Sequence, residues 1–363
     1  MTQTKTIVVK IGSSTLAAKS GKLDHDFMGT FCKEMAHFQK MGKQFILVTS
    51  GAIIAGSERL GKVGRLRTIP EKQAASAVGQ SLLMHAYETI FHSCGITIAQ
   101  VLLTRDAISD RHRYIHVRHT FEELLRLNVI PIINENDPVS VDEIKVGDND
   151  TLAALVASLI GADLLVLFTD VEGLRVKGKI VDVVENNLDE IIQGIVSQKT
   201  TKSIFGTGGI LTKLEAAKVA GGAGIPMIIA QGRKEKVLSK IVEGEKVGTL
   251  FVPRENKLDS RKRWLAHGLP ATGSIVVDGG AAEALLTQGR SLLPVGVREV
   301  EGEFEPGDVI RIVSAGKEVA RGLSNYGSQD ILKIKGKRAS EIEKLLGYHA
   351  GDEIVHRDNL VLL

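Results

Sequence analysis

Two lysines and a run of acid and amide residues are the groups in this chain best suited to chemistry. Lys10 closes a strand-like run, KTIVVKI (5–11), and is followed by Gly12, Ser13 and Ser14. Lys213 closes GTGGILTK (206–213), where three glycines precede the helix-like LTKLEAAKVA. Two separated cations suit a transferring phosphoryl group, whose equatorial oxygens carry most of the charge. A helix dipole disfavours a lysine near the helix N-terminus, which argues against a purely structural Lys213. A third element, VGDND (146–150), sets Asp148, Asn149 and Asp150 at the start of the helix-like TLAALVASLIG. Asp and Asn are preferred helix caps, but three polar residues in a row exceed what capping requires. One carboxylate could hold the two lysines at fixed spacing, and the amide could orient the polar atoms of an amino-acid substrate.

Other candidates sit where strand-like runs end. QFILVT (44–49) leads to Ser50 and Gly51, VIPII (129–133) to Asn134, Glu135, Asn136 and Asp137, and LLVLF (164–168) to Thr169 and Asp170. Ligands of open parallel sheets bind outside the carboxyl ends of the strands, so four such clusters with a lysine among them mark one site. Gly12 and Gly51 let backbone N–H groups approach an anion, and residues 50–56 lead into a helix start that favours negative charge. GSERLGKV (56–63) has the GxxxxGK spacing, but Val63 stands where a hydroxyl must reach Mg²⁺, so no Walker loop is expected. GTGGI follows no strand directly and makes a poor dinucleotide fingerprint. The histidines are scattered, and the i, i+4 pair His112 and His116 reads as facing solvent on a basic helix. Cys32 and Cys94 form no CxxC, so neither a disulfide framework nor a cysteine metal cage is expected, and a reducing cytoplasm fits both.

Positioning these residues requires a frame, and the apolar pattern supplies it. Six short runs rich in branched residues (5–11, 44–49, 96–103, 129–133, 164–168 and 225–230) alternate with helical stretches. Phe27, Phe31, Met35 and Phe38 form one helical stripe; Val78, Leu82, Ala86 and Ile90 form another. Strands apolar on both faces and alternating with helices predict βαβ units. The fold expected for residues 1–255 is therefore α/β, a three-layer αβα sandwich with a mainly parallel sheet. From residue 271 to 363 the short runs SIVV, LLPVGV, DVIRIV, KEVARG and DILKI predict a small, mostly β domain with helical stretches at 281–287 and 339–346. Residues 256–270, with the only tryptophan, Trp264, read as the linker. A chain of 363 residues accommodates two such domains.

Composition narrows the function classes. Glycine, at 38 of 363 residues, is in excess, which directs the search to loops that approach phosphate. A net charge of +3 is too nearly balanced for whole-chain attraction to nucleic acid. Residues 271–363 carry 11 Lys and Arg against 14 Asp and Glu, which disfavours RNA binding by the tail despite its basic KIKGKR (333–338). The N-terminus has no signal-peptide pattern and no 18-residue apolar window occurs, so a cytoplasmic location without membrane insertion is expected.

At these residues the sequence resembles the amino acid kinase family, and within it the members that phosphorylate glutamate. The matching segments are VVKIGSS (8–14), VTSGAI (48–53), LLTR (102–105), INENDPV (133–139), EIKVGDND (143–150), TDVEGL (169–174), GTGGILTK (206–213) and RKRWLAHG (261–268). The tail is similar to the PUA domain, SIVVDGGAAEAL and LLPVGV being its recognisable opening. The resemblance implies the amino acid kinase fold and ATP-dependent phosphorylation of the L-glutamate γ-carboxylate, the first step of proline biosynthesis, with ATP and Mg²⁺ as cofactors. It implies that Lys10 and Lys213 stabilise the transferring phosphoryl group and that Asp150 orients both. Glutamate binding falls to Ser50, Gly51, Asn134, Asp137, Asp148 and Asn149. Nucleotide binding falls to Lys10, Gly12, Thr169 and Asp170 with the Thr207–Lys213 loop (Thr207, Gly208, Gly209, Ile210, Leu211, Thr212 and Lys213). Implied partners are a proline feedback inhibitor, further copies of the chain in a dimer or tetramer, and a glutamate-5-semialdehyde dehydrogenase, with neither membrane nor nucleic acid among them. Arg175 to Val181, RVKGKIV, is shorter than the family's usual segment and lacks its tyrosine and Asp-Pro. An acetylglutamate or uridylate kinase is the alternative within the family, and an RNA-binding protein the alternative outside it; VGDND and the appended domain argue against the first pair.

Overall fold

The computed structural model describes residues 4–104, 111–139, 148–176, 178–185, 188–197, 204–253 and 271–363. The chain divides into two compact units, residues 1–108 with 118–257, and residues 258–363 with 109–117. The linker reading for 256–270 lies wholly outside the described residues, as do Trp264, Arg105 and residues 143–147 of the quoted motifs.

All six expected strands of the first unit form. They are β1 (Thr6–Ile11), β2 (Gln44–Val48), β3 (Ile98–Leu103), β4 (Ile130–Glu135), β5 (Leu164–Thr169) and β9 (Met227–Gln231). Every adjacent pair among them is parallel, in the order β3-β4-β2-β1-β5-β9. Two very short strands, β10 (Thr249–Phe251) antiparallel to β9 and β8 (Val183–Val184) parallel to β10, extend the sheet to eight. A ribbon of two residues each, β6 (Arg175–Val176) and β7 (Lys179–Ile180), stands apart from it. The chain passes from β1 to one side of the sheet through β2, β3 and β4, then crosses to the other side at β5. Lys10 and Thr169 thus lie on neighbouring strands at the topological switch point, where an open α/β sheet has its crevice.

Helices cover the sheet. α1 (Ser13–Leu16) is a single turn after β1, and α2 (His25–Lys40) starts at Asp24, whose carboxylate accepts from the Phe27 N–H. Its stripe packs as the spacing predicts: Phe31, Met35 and Phe38 are buried and Phe27 packs against the same core. α3 (Ala52–Arg59) and α4 (Ile69–Ser93) depart from expectation. The buried face of α4 is Ala75, Ser76, Gly79, Leu83, Tyr87 and Phe91, while Val78 and Leu82 are each 37% exposed. The large residues misled because the close contact of α4 is made by small ones. A Cβ added to Gly56 of α3 would stand 1.7 Å from the Ala75 carbonyl oxygen, and one on Gly79 1.8 Å from that of Ala52, so the two backbones touch.

After α5 (Arg111–Arg126), α6 (Asp148–Ile160) packs against α8 (Ile204–Gly222); α7 (Leu188–Ser197) and α9 (Val237–Glu243) complete the unit. α8 corrects a second reading. GTGGILTK is not a loop before a helix but lies inside α8, and Lys213 falls in its third turn. Packing on α6 overrides the glycine penalty of about 1 kcal/mol per residue. The dipole argument for Lys213 no longer applies, since that field fades within the first turn.

The second unit carries a five-stranded sheet, β12-β11-β13-β14-β15, from β11 (Gly273–Val277), β12 (Val297–Glu301), β13 (Val309–Ser314), β14 (Lys317–Leu323) and β15 (Leu360–Leu362). β11 and β13 are parallel and the other pairs antiparallel. Both expected helices form, as α10 (Gly279–Gln288) and as a 3-10 turn (Ala339–Glu341) running into α12 (Ile342–Leu346). DILKI, expected as strand, belongs instead to α11 (Ser328–Ile334). It buries Ile331 and Ile334, three apart, a spacing that five residues of alternating pattern cannot distinguish from a strand. No helix of the described residues is long and apolar enough to cross a membrane.

Candidate active site

A cleft of about 1010 Å³ opens at the carboxyl ends of β1, β2, β4 and β5. Lys10, Gly12, Ser50, Gly51, Asn134, Asp137, Asn149, Thr169, Asp170, Gly209, Ile210 and Lys213 all line it. Expected residues drawn from positions 10 to 213 are therefore brought to one place.

Its centre is an ion triad. Asp150, fully buried in the first turn of α6, receives the Lys10 ammonium at 2.5 Å on Oδ1 and the Lys213 ammonium at 3.0 Å on Oδ2. Thr212 Oγ1 adds a hydrogen bond of 3.1 Å to Oδ2, and Lys213 also donates to the Gly209 carbonyl at 3.0 Å. Burial first, and the nearby Lys213 charge, pull the Lys10 pKa below the ordinary lysine value against the pull of Asp150. Burial disfavours the Asp150 carboxylate as well, but the charges and hydrogen bonds of both lysines prevail and hold its pKa below the usual range. Two cations share one anion, so the triad carries a surplus positive charge at the cleft wall, where a polyanion can use it. Gly12 matters here for close approach, since a Cβ would come within 3.3 Å of Lys10 Nζ.

A chain of amides extends from the triad. Asn149 Nδ2 lies 2.8 Å from the Thr49 carbonyl oxygen, 2.9 Å from Ser50 Oγ and 3.2 Å from Asn134 Oδ1. Asn134 Oδ1 also accepts from the Glu135 N–H at 3.0 Å, and Asn134 Nδ2 donates to Gln80 Oε1 at 2.9 Å. Two backbone groups, the Thr49 carbonyl and the Glu135 N–H, thereby fix which way each amide faces. Asn149 Oδ1 is left buried without a hydrogen-bond partner. Gly51, at φ +104°, caps α3 in a left-handed conformation that a side chain would strain. Asp137 begins a 3-10 turn after β4 (Asp137–Val139), and Ser76 donates to its carboxylate at 2.5 Å. Burial raises the Asp137 pKa, with the Ser76 hydrogen bond opposing.

At the other end, Thr169 Oγ1 donates to Asp170 Oδ1 at 2.9 Å, and Gln231 holds the Asp170 carbonyl at 3.0 Å. The side chains of Asp148 and Thr207 lie outside the described residues, although these positions and Gly208 fall within helices. Leu211 is half-buried and does not line the cleft, and Thr212 serves Asp150 rather than the open space. Arg175, in the segment that departs from the family pattern, lines the cleft from β6 and pairs with Glu172 at 3.6 Å.

The residues that went unread lie on α4. Gln73 donates to the Asp137 carbonyl at 3.2 Å, Ser76 and Gln80 hold Asp137 and Asn134, and Lys72 lines the cleft itself. Lys72, Ser76 and Gln80 recur every fourth residue, a polar ladder beside the apolar stripe, and that spacing was the available signal.

Residues 5–231 match the amino acid kinase family and residues 273–346 the PUA domain. The chain is 48% identical to the glutamate 5-kinase of Thermoanaerobacter sp. (strain X514) over 98% of its own length and 97% of that protein's. It is 47% identical to that of Moorella thermoacetica over 100% and 97%, and 46% identical to that of Geobacter sulfurreducens over 100% and 99%. A solved structure, the UMP kinase of Bacillus anthracis, aligns with 69% of this chain and 97% of its own at 13% identity and a TM-score of 0.48.

Proposed function

The chain belongs to the amino acid kinase family, and from that premise we propose that it transfers the γ-phosphoryl group of ATP to the γ-carboxylate of L-glutamate, giving L-glutamyl 5-phosphate and ADP. The observation that carries this reading is the buried Lys10–Asp150–Lys213 triad facing the cleft. A γ-carboxylate with a pKa of about 4.3 is ionised at neutral pH and attacks phosphorus without a general base. What the reaction requires is that two anions approach in line, with the growing charge on the equatorial oxygens neutralised. Lys10 and Lys213 supply that neutralisation, and Asp150 keeps them together. The carboxylate oxygen forms the new O–P bond as the bond to the ADP oxygen breaks.

Glutamate occupies the end formed by Ser50, Gly51, Asn134, Asp137 and Asn149, with Asp148 at the entry of α6. The nucleotide occupies the end formed by Gly12, Thr169, Asp170 and the first turns of α8 from Thr207. Mg²⁺ enters with the ATP phosphates: among the described residues no cluster of three His, Cys, Asp or Glu side chains could cage a metal, and Mg²⁺ bound mainly by substrate phosphates fits such a donor set. Asp170 is the cleft carboxylate at that end, and the ion's chemistry is to neutralise phosphate charge. The same reading makes the chain the first enzyme of proline biosynthesis. It brings the expectations of proline feedback, a dimeric or tetrameric assembly, and hand-over of the labile acyl phosphate to a glutamate-5-semialdehyde dehydrogenase. The test is ATP-dependent hydroxamate formation with glutamate, N-acetylglutamate and aspartate side by side; activity with N-acetylglutamate in place of glutamate overturns the assignment.

A further inference from the structure

The cleft carries a cation, Lys72, that neither the triad nor the amide chain uses. Lys72 follows the capping box of α4, Thr68 with Glu71, as the fourth residue of the helix. The dipole there disfavours a cation. It is half-buried and lines the same cleft as Gly51 and Asp137. Two other lysines behave as ordinary surface groups: Lys22 pairs with Glu58 at 3.0 Å and Lys62 approaches Glu71 at 3.9 Å. Lys72 makes no ion pair with any described residue. Its position on the helix fixes its outlook, because Ser76 lies one turn further along the same face and reaches Asp137. Lys72 and Asp137 thus line one cleft with opposite charges, Lys72 on the turn of α4 adjoining that of Ser76, the partner of Asp137.

We propose that Lys72 receives the α-carboxylate of the amino-acid substrate while Asp137 receives its α-ammonium. The two charges then read the zwitterionic end of the molecule and leave the γ-carboxylate directed at Lys10 and Lys213. The inference rests on the glutamate reading given above and adds to it what makes the site select an α-amino acid rather than any carboxylate. A short carboxylic acid that lacks the α-carboxylate offers Lys72 nothing.

4-Aminobutyrate is glutamate without its α-carboxylate, and it separates this contact from all others. In the full-length protein, Lys72→Met should lower kcat/KM for glutamate about 10- to 100-fold, through KM, as expected for one lost charge-assisted hydrogen bond. The preference for glutamate over 4-aminobutyrate should shrink by the same factor, read from turnover or from the Ki of 4-aminobutyrate as a competitor. Lys72→Arg should restore most of the loss. Equal losses for both compounds, or none for either, overturn the inference. A wild-type protein inactive on glutamate overturns the functional reading instead, so the two failures are distinguishable.

Discussion

Asp150 Oδ1 stands 2.5 Å from Lys10 Nζ with both residues buried, and it is this contact that makes a buried lysine tolerable. Removing either partner therefore has different consequences. Lys10→Met leaves Asp150 its bond to Lys213 and should cost about 100- to 1000-fold in kcat through a lost transition-state contact. Asp150→Ala strands a buried cation and should also destabilise the fold by about 3–5 kcal/mol. Steady-state kinetics and thermal unfolding of the two variants check the contrast.

Lys213 is less enclosed than Lys10, at 12% against 6% side-chain exposure, so its loss should affect chemistry more than stability. Lys213→Met should lower kcat by about 100-fold or more with little change in the glutamate KM. An unchanged kcat removes Lys213 from the reaction.

Asp137 predicts a pH dependence. Its pKa is raised by burial, so on lowering the pH it protonates before an ordinary carboxylate would and loses its hold on an ammonium group. In kcat/KM for glutamate an acid limb should begin above the usual aspartate range, and Asp137→Asn should abolish that limb. Stability has the opposite sign: a raised pKa in the folded state means that the contribution of Asp137 is largest at low pH and is lost as pH rises through the folded value. A pH profile that ends at the ordinary range in both proteins refutes the assignment.

Gln80 tests the amide chain. Only its carbonyl oxygen is used, by Asn134, and its Nε2 has no partner. Gln80→Glu keeps the acceptor and should retain the glutamate KM within a few-fold, whereas Gln80→Met, of similar shape, should raise KM about 10-fold as Asn134 is released. Equal behaviour of the two variants means that Gln80 does no more than fill space.

Truncation tests the domain division. Every cleft-lining residue lies between positions 10 and 213, so a fragment ending near residue 270 should keep the phosphotransfer activity. A folded but inactive fragment would assign the tail a part in the site or in its assembly.

Much of this arrangement was legible in the chain. Continuous apolar runs identified all six parallel strands because a strand buried on both faces has no other composition, and the polar residues at their ends assembled into one cleft as the sheet geometry requires. That one carboxylate of VGDND could hold the two lysines was readable because capping alone did not account for the run, and the family resemblance singled out Asp150, which pairs with both. What escaped lies where small residues decide. Gly56 and Gly79 carry no hydrophobic signal, yet they set the crossing of α3 and α4 and turn Ser76 and Gln80 toward the site. The glycines of α8 suggested a loop because propensity is a local quantity, whereas the helix is held by its packing on α6. Strands as short as β8 and β10, of two and three residues, have too little pattern to read.

The triad joins a strand, β1, to two helices that follow it by well over a hundred residues, with Asp150 and Lys213 themselves 63 positions apart. No fragment that forms early, by local contacts, can contain it. Loop closure over such spans comes late and slowly, so during refolding catalytic activity should appear only after helix content has recovered. A chain emerging from the ribosome would accordingly be unable to turn over ATP until the first unit was all but complete.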